Sequence, residues 1–307
     1  MNSQKRNMIL ADIAIIFVAF IWGSGFAGNK ILLNGGIHPI QLIAARFIIA
    51  AIILVLLFFK KLKANPSSFL PGALIGVILF ISYMLQTIGL KYTTASNNAF
   101  LTSVYVVIVP VVAYFIIKRK PDIFNAVAAV LVLIGIAFLT VDFTDFSIGK
   151  SATFKGDMLT LLCAVFYAFQ VTLIAHYARR HDPIVLAIVQ VVVVAVLSTP
   201  AALFFEGTQF AVTASGIALL LYLALIATAL CLVMQNVAQK YTTPTHAGLL
   251  MSLESVFGTL LGVVIMGDDI SRQMGLGFFI IFISLIIAET KLSFLQKPSL
   301  RQENENL

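Results

Sequence analysis

Lys91-Tyr92-Thr93-Thr94 and Lys240-Tyr241-Thr242-Thr243 are the same tetrapeptide, 149 residues apart in one chain. Each copy sits between two long apolar runs. Downstream of them, Leu101 and Ser103 line up with Leu250 and Ser252. A second pairing supports the first: Pro39-Ile40-x-Leu42 matches Pro183-Ile184-x-Leu186 at an offset of 144, which sets Arg46 opposite Gln190. Asp12 and Asp157 likewise open the first apolar run of each half. The chain is therefore expected to be a duplication, and the apolar runs between these markers decide its fold.

Those runs fall at 9–33, 39–59, 69–90, 94–117, 122–141, 156–177, 183–206, 214–238, 244–266 and 270–289. A bilayer core of about 30 Å needs roughly 20 helical residues, and each run has close to that length. Barrel strands would alternate apolar and polar residues; Ile48 to Phe59 does not alternate. The expectation is an all-α integral membrane protein of ten transmembrane helices, arranged as two five-helix repeats. Five is odd, so the second repeat enters the membrane inverted. The expected parts are residues 1–145 (helices 1–5), 146–290 (helices 6–10) and a polar cytoplasmic tail, 291–307. Lys5-Arg6 before an apolar run has the look of a signal peptide. The run continues past Trp22 to Leu33, so it is taken as an uncleaved first helix.

Composition agrees. Of 307 residues, 60% are hydrophobic and 11% charged, with a mean hydropathy of +1.03. Water-facing helices need a polar face, and these charges are too few to supply one. That excludes a soluble enzyme and a disordered chain. The net charge of +7 marks loops rather than nucleic acid, which is not an expected partner. With the N-terminus inside, fourteen Lys and Arg fall in inside segments and five in outside ones, which puts both termini in the cytoplasm and the chain in the cell membrane. Cys163 and Cys231, both in apolar runs, make neither a disulfide framework nor a metal site. His38, His176, His181 and His246 are scattered near span ends, so a membrane-embedded enzyme lacks the clustered groups it needs. No phosphate-binding loop occurs, and no cofactor is expected.

Inverted repeats are a transporter signature, because exchanging the conformations of the halves turns an inward-open carrier outward. Polar groups at membrane depth then become candidates for substrate contact. Glu254 lies ten residues into the ninth span, near the midplane, and is a candidate for binding an amine or a coupling proton. Around it are expected Trp22, Ser24 and Asn29 in span 1, and Tyr83 and Gln86 in span 3. Asn98, Thr102 and Tyr105 follow in span 4, Tyr167 and Gln170 in span 6, and Ser252 in span 9 beside Glu254. Such a mixture of aromatic, amide and hydroxyl groups suits an amphipathic metabolite, while the same residue types also join helices. Arg46 in span 2 could contact a substrate carboxylate, but is read mainly as a snorkelling residue or a tie between helix 2 and a neighbour. Gly72/Gly76 and Gly258/Gly262 are close-approach pairs.

Trp22-Gly23-Ser24-Gly25-Phe26 with Lys30 after it, Arg46-Phe47, and Leu253-Glu254-Ser255-Val256-Phe257 leading to Gly267-Asp268 resemble the EamA-type members of the drug/metabolite transporter superfamily. The resemblance covers nearly the whole chain. It implies a ten-helix exporter of amino acids, other small metabolites or cationic drugs. Its central cavity would be lined by helices 1, 3, 4, 6, 8 and 9, with helices 5 and 10 to the side. The chain departs from the family's habit at Ser255, where Pro is common, and at Gly267-Asp268-Asp269 and Lys118-Arg119-Lys120, where Gly-Glu is common. The expected function is secondary export of small amphipathic metabolites, amino acids first, with organic cations as the alternative. The expected partners are a small-molecule substrate and the lipid bilayer, with proton coupling through Glu254 an option and the oligomeric state open.

Overall fold

The computed structural model describes residues 3–118, 123–142, 147–148, 152–209 and 212–290. The segment 119–122 and the tail 291–307 of the sequence reading lie outside them. Among the described residues the chain is helical: α1 (Ser3–Asn34), α2 (Pro39–Ala64), α3 (Phe69–Tyr92), α4 (Ala95–Ser103), α5 (Tyr105–Ile117), α6 (Ile123–Thr140), α7 (Phe154–Tyr177), α8 (Pro183–Phe205), α9 (Ala214–Ala224), α10 (Cys231–Gln239), α11 (Pro244–Leu261) and α12 (Arg272–Thr290). The predicted fourth span is α4 and α5, joined through Val104. The predicted eighth span is α9 and α10, joined by a π-helical turn, Leu225–Leu230. A second π-helical turn, Gly262–Met266, continues α11.

Among the described residues, eight helical segments are long and apolar enough to cross a membrane. The other two predicted spans correspond to α6 and α12, of 18 and 19 residues. At 1.5 Å per residue these reach about 27–28 Å, slightly under the hydrocarbon thickness. One strand pair was not expected: β1 (Val141–Asp142) and β2 (Ser147–Ile148) pair antiparallel after α6, in the link between the halves.

The repeated Thr-Thr explains itself locally. Thr94 caps α4 by accepting from Asn97 N at 3.0 Å, and Thr243 caps α11 by accepting from His246 N at 3.2 Å. Each satisfies an N–H that the helix start leaves without a partner. Thr94→Ala and Thr243→Ala are each expected to cost about 1 kcal/mol. The caps share no partner, so the double variant should show the sum, read as the unfolding midpoint of the purified protein. The matched prolines also open helices, Pro39 in α2 and Pro183 in α8. There the caps differ. Asp182 caps its own helix. The first turn of α2 is capped from across the fold by Glu206, which accepts from Ile40 N at 3.1 Å and Gln41 N at 2.8 Å.

Packing follows the duplication. α1 lies against α11, as α7 lies against α4 and α5; α1 also meets α10, as α7 meets α3. α2 meets α8, α4 meets α11 and α6 meets α12, each pair being one element and its counterpart. Single contacts repeat this exchange. Lys30 Nζ donates to the Thr93 carbonyl at 2.7 Å, and Arg179 Nη2 to the Thr242 carbonyl at 3.3 Å; both members are shifted by 149. Asp157 receives Asn97 Nδ2 at 3.4 Å, and Asp12 meets His246 Nε2 at 3.1 Å.

Glycines set the closest crossings. A Cβ on Gly72 or Gly76 would lie 2.8 Å from the Cβ of Val189 or Val193 in α8. One on Gly258 would lie 2.6 Å from the Cβ of Ala99, and one on Gly262 2.5 Å from Ser96 Oγ. Both glycine pairs read from the sequence are therefore points of close approach.

Candidate functional site

The helices that cross at these glycines leave a cavity between the two halves. It is lined by α1 (Trp22, Gly25, Phe26, Asn29), α2 (Arg46), α3 (Leu79, Tyr83, Gln86), α4 (Thr102), α5 (Tyr105), α7 (Tyr167, Gln170, Val171), α10 (Leu232, Gln235) and α11 (Met251, Glu254). The cavity volume is about 50 Å³, space for a few waters. α6 and α12 pack on each other, and among the described residues neither contributes to the lining.

Nine of the twelve residues singled out in the sequence meet here: Trp22, Asn29, Tyr83, Gln86, Thr102, Tyr105, Tyr167, Gln170 and Glu254. Their polar atoms are mostly organised by one another. Tyr167 Oη donates to Gln86 Oε1 at 3.0 Å, and Gln86 Nε2 donates to Thr102 Oγ1 at 3.1 Å. Gln170 Nε2 donates to Gln235 Oε1 at 3.3 Å. Trp22 Nε1 donates to the Ala227 carbonyl at 2.9 Å, which turns the indole toward the cavity instead of a membrane interface. The rings of Tyr83 and Tyr167 meet edge to face with centroids 6.0 Å apart, and Tyr105 lies tilted against Tyr167 at 6.4 Å.

Three of the twelve are elsewhere. Ser24 turns back to the Ile21 carbonyl at 2.7 Å and shares a hydrogen bond with Tyr222 Oη at 2.6 Å. Asn98 is fully buried behind the lining, donating to Thr160 Oγ1 at 2.6 Å and the Gln86 carbonyl at 3.3 Å. Ser252 bonds the Leu249 carbonyl of its own helix at 2.6 Å. Helical spacing alone does not separate a serine that faces space from one that satisfies itself on the preceding turn.

The candidate set read from the sequence leaves out Arg46, Gln235 and the apolar walls. Gln235 has a signal, being an amide inside an apolar run. Arg46 is a tie between helices: Nε donates to Thr228 Oγ1 and, at 3.2 Å, to the Leu223 carbonyl. It also lines the cavity with 4% of its surface exposed. Glu254, 4% exposed, has no hydrogen-bond donor to its carboxylate among the described residues. The Tyr105 hydroxyl is buried without a partner.

Comparison with known proteins accounts for this architecture. The EamA-like transporter family matches residues 9–141 and again 154–290. An uncharacterized transporter of Archaeoglobus fulgidus is 34% identical over 290 residues, covering 94% of this chain and 89% of that protein. An uncharacterized transporter of Clostridium kluyveri is 25% identical over 300 residues, covering 92% and 93%. A solved crystal structure, 18% identical, superposes with a TM-score of 0.67 over 94% of this chain and 99% of its own, so the two share a fold. With apolar helices of membrane-spanning length around a central cavity, the chain belongs to the EamA-like transporter family.

Proposed function

We propose that this protein is a secondary transporter that exports small amphipathic metabolites, amino acids first, across the cell membrane by alternating access. The observation that carries the proposal is the central cavity, where aromatic, amide and carboxyl groups from both halves converge without a metal or nucleotide motif. Ligand sites at the interface of two repeats, near the membrane midplane, are the arrangement of carriers whose halves rock about a fixed site.

Two inverted five-helix halves, 1–145 and 146–290, are part of the proposal. The exchange of contacts between halves supports them, as do the paired contacts of Lys30 with Thr93 and Arg179 with Thr242. Each end of the bundle then carries its own clasp, and opening one while the other stays closed is the motion required. Both termini are placed in the cytoplasm by the Lys and Arg bias of the loops. Glu254 is the candidate for meeting the substrate amine or a coupling proton. The protein acts as a carrier and not as an enzyme.

The test is counterflow in liposomes containing the purified protein, with labelled amino acids and with or without a proton gradient. Saturable counterflow of an amino acid is the expected result. A folded protein that exchanges no amino acid but does exchange an organic cation would move the assignment to cations within the same fold. A gradient-driven component that disappears in Glu254→Gln while exchange persists would make Glu254 the proton site.

A further inference from the structure

Arg46 lies eight residues into α2, and no carboxylate among the described residues is within 4 Å of it. A cation at membrane depth is costly unless it is paired or faces polar space. Its guanidinium divides into two parts. The Nε side is firmly held by Thr228 Oγ1 and the Leu223 carbonyl. Those acceptors belong to the π-helical turn and its approach, where the ordinary i to i−4 ladder is broken and carbonyls accept from outside the helix. Thr228 is oriented in turn by its own bond to the Leu223 carbonyl at 2.8 Å.

The outer edge is held differently. Nη1 reaches Asn29 Oδ1 at 3.5 Å. Nη2 reaches Tyr83 Oη and the Ala227 carbonyl at 3.4 Å each. The Ala227 carbonyl is already taken by Trp22 at 2.9 Å. Good N–H···O bonds centre near 2.9 Å, so these contacts are long and leave donors in hand. The pair of donors on the edge of a guanidinium is the geometry that takes a carboxylate in a two-pronged grip. The same cavity presents the Glu254 carboxylate without a donor. No ion pair joins Arg46 to Glu254. A guanidinium and a carboxyl group are thus buried in one cavity, with no ion pair between them.

We infer that Arg46 is the receptor for the substrate's carboxylate, and that the cargo is a small zwitterion with its protonated amine at Glu254. The inference rests on the carrier reading and narrows it. A simple cation engages Glu254 alone, and a simple anion engages Arg46 alone. A molecule carrying both groups engages the two side chains at once. Thr228 acts as a positioning residue, because it aims the guanidinium without touching the ligand.

The experiment begins with thermal stabilisation of the purified protein by each of the twenty standard amino acids. The strongest binder is then used as a radiolabelled probe, displaced by itself, by its amide (no carboxylate) and by its deaminated acid (no amine). Both analogues are expected to compete at least tenfold more weakly than the amino acid. In Arg46→Gln the amino acid should weaken tenfold or more and its amide less than threefold, so that the preference collapses. Thr228→Val keeps the charge and should weaken the amino acid more than the amide, which serves if the first variant does not fold. An amide that competes as well as the amino acid in the native protein overturns the assignment. So does stabilisation by none of the twenty, or an equal loss for amino acid and amide in both variants. An amino acid that binds with this discrimination but shows no counterflow leaves the Arg46 assignment standing and overturns the carrier reading.

Discussion

Glu254→Gln should reduce amino-acid counterflow about 10–100-fold while leaving the protein as stable as the native one, or more so. The two halves of this expectation come from one observation. The carboxylate is buried in the cavity wall and no protein group among the described residues donates to it. A hydrogen bond to a charged group contributes about 1.5–3 kcal/mol. Losing it from the bound state alone costs about one to two factors of ten. In the free protein the substitution replaces a buried carboxyl that has no protein donor by a neutral amide of the same shape, so no protein hydrogen bond is lost. A carboxyl that served packing would behave in the opposite way: stability would fall and counterflow would follow it. Measuring the unfolding midpoint beside the counterflow rate separates the two. Native counterflow rates in the variant would remove Glu254 as the receptor of the substrate amine and leave it only the coupling proton.

Gly23→Val should abolish transport and lower the yield of folded protein. A Cβ at this position would lie 2.5 Å from the Cβ of Phe257 and 3.0 Å from the Glu254 carbonyl oxygen and the Gly258 nitrogen. Two of these three atoms are backbone, so no side-chain rotation makes room. Overpacking of this kind costs about 1–3 kcal/mol, and here it also pushes α1 from α11, separating Trp22 from Glu254. Gly25, two residues on, is the control. Its nearest contact is Leu223 Cδ2 at 3.9 Å, so Gly25→Ala should leave stability unchanged or slightly higher, alanine being the better helix former. Equal losses from the two substitutions would show that α1 needs its glycines for flexibility and not for a close crossing.

The difference between those glycines was not legible in the sequence, where Gly23, Gly25 and Gly28 are equivalent members of one apolar run. What was legible is what repeats. The shared Lys-Tyr-Thr-Thr located two helix starts, and the structure gives the reason: the second threonine of each is a cap. Apolar length located the membrane-spanning helices. It did not reveal the π-helical turn at Leu225–Leu230, since one extra residue in a turn leaves composition and length unchanged. That turn is the reason Arg46 was undervalued. Its partners Thr228, Leu223 and Ala227 are some 180 positions away in the chain, beyond the reach of any local pattern. Most of the polar lining of the cavity is legible in the sequence because polar groups at membrane depth are few and tend to converge. Ser24, Asn98 and Ser252 were the exceptions, because each answers to a nearby hydroxyl or carbonyl. The Asp268 that departs from the family's Gly-Glu also has a local task, accepting from Ser96 N at 2.9 Å and Ser96 Oγ at 2.8 Å.

The central claim is that one cavity opens to each side of the membrane in turn. It is tested most directly by placing a single cysteine at Gln235, a lining residue of α10, in a background where Cys163 and Cys231 are replaced by alanine. A membrane-impermeant thiol reagent is then applied from either face of sealed vesicles, with and without the transported amino acid. Labelling from both faces, slowed by the amino acid on each, is the expected result. Labelling from one face only, at a rate the amino acid does not change, would contradict it.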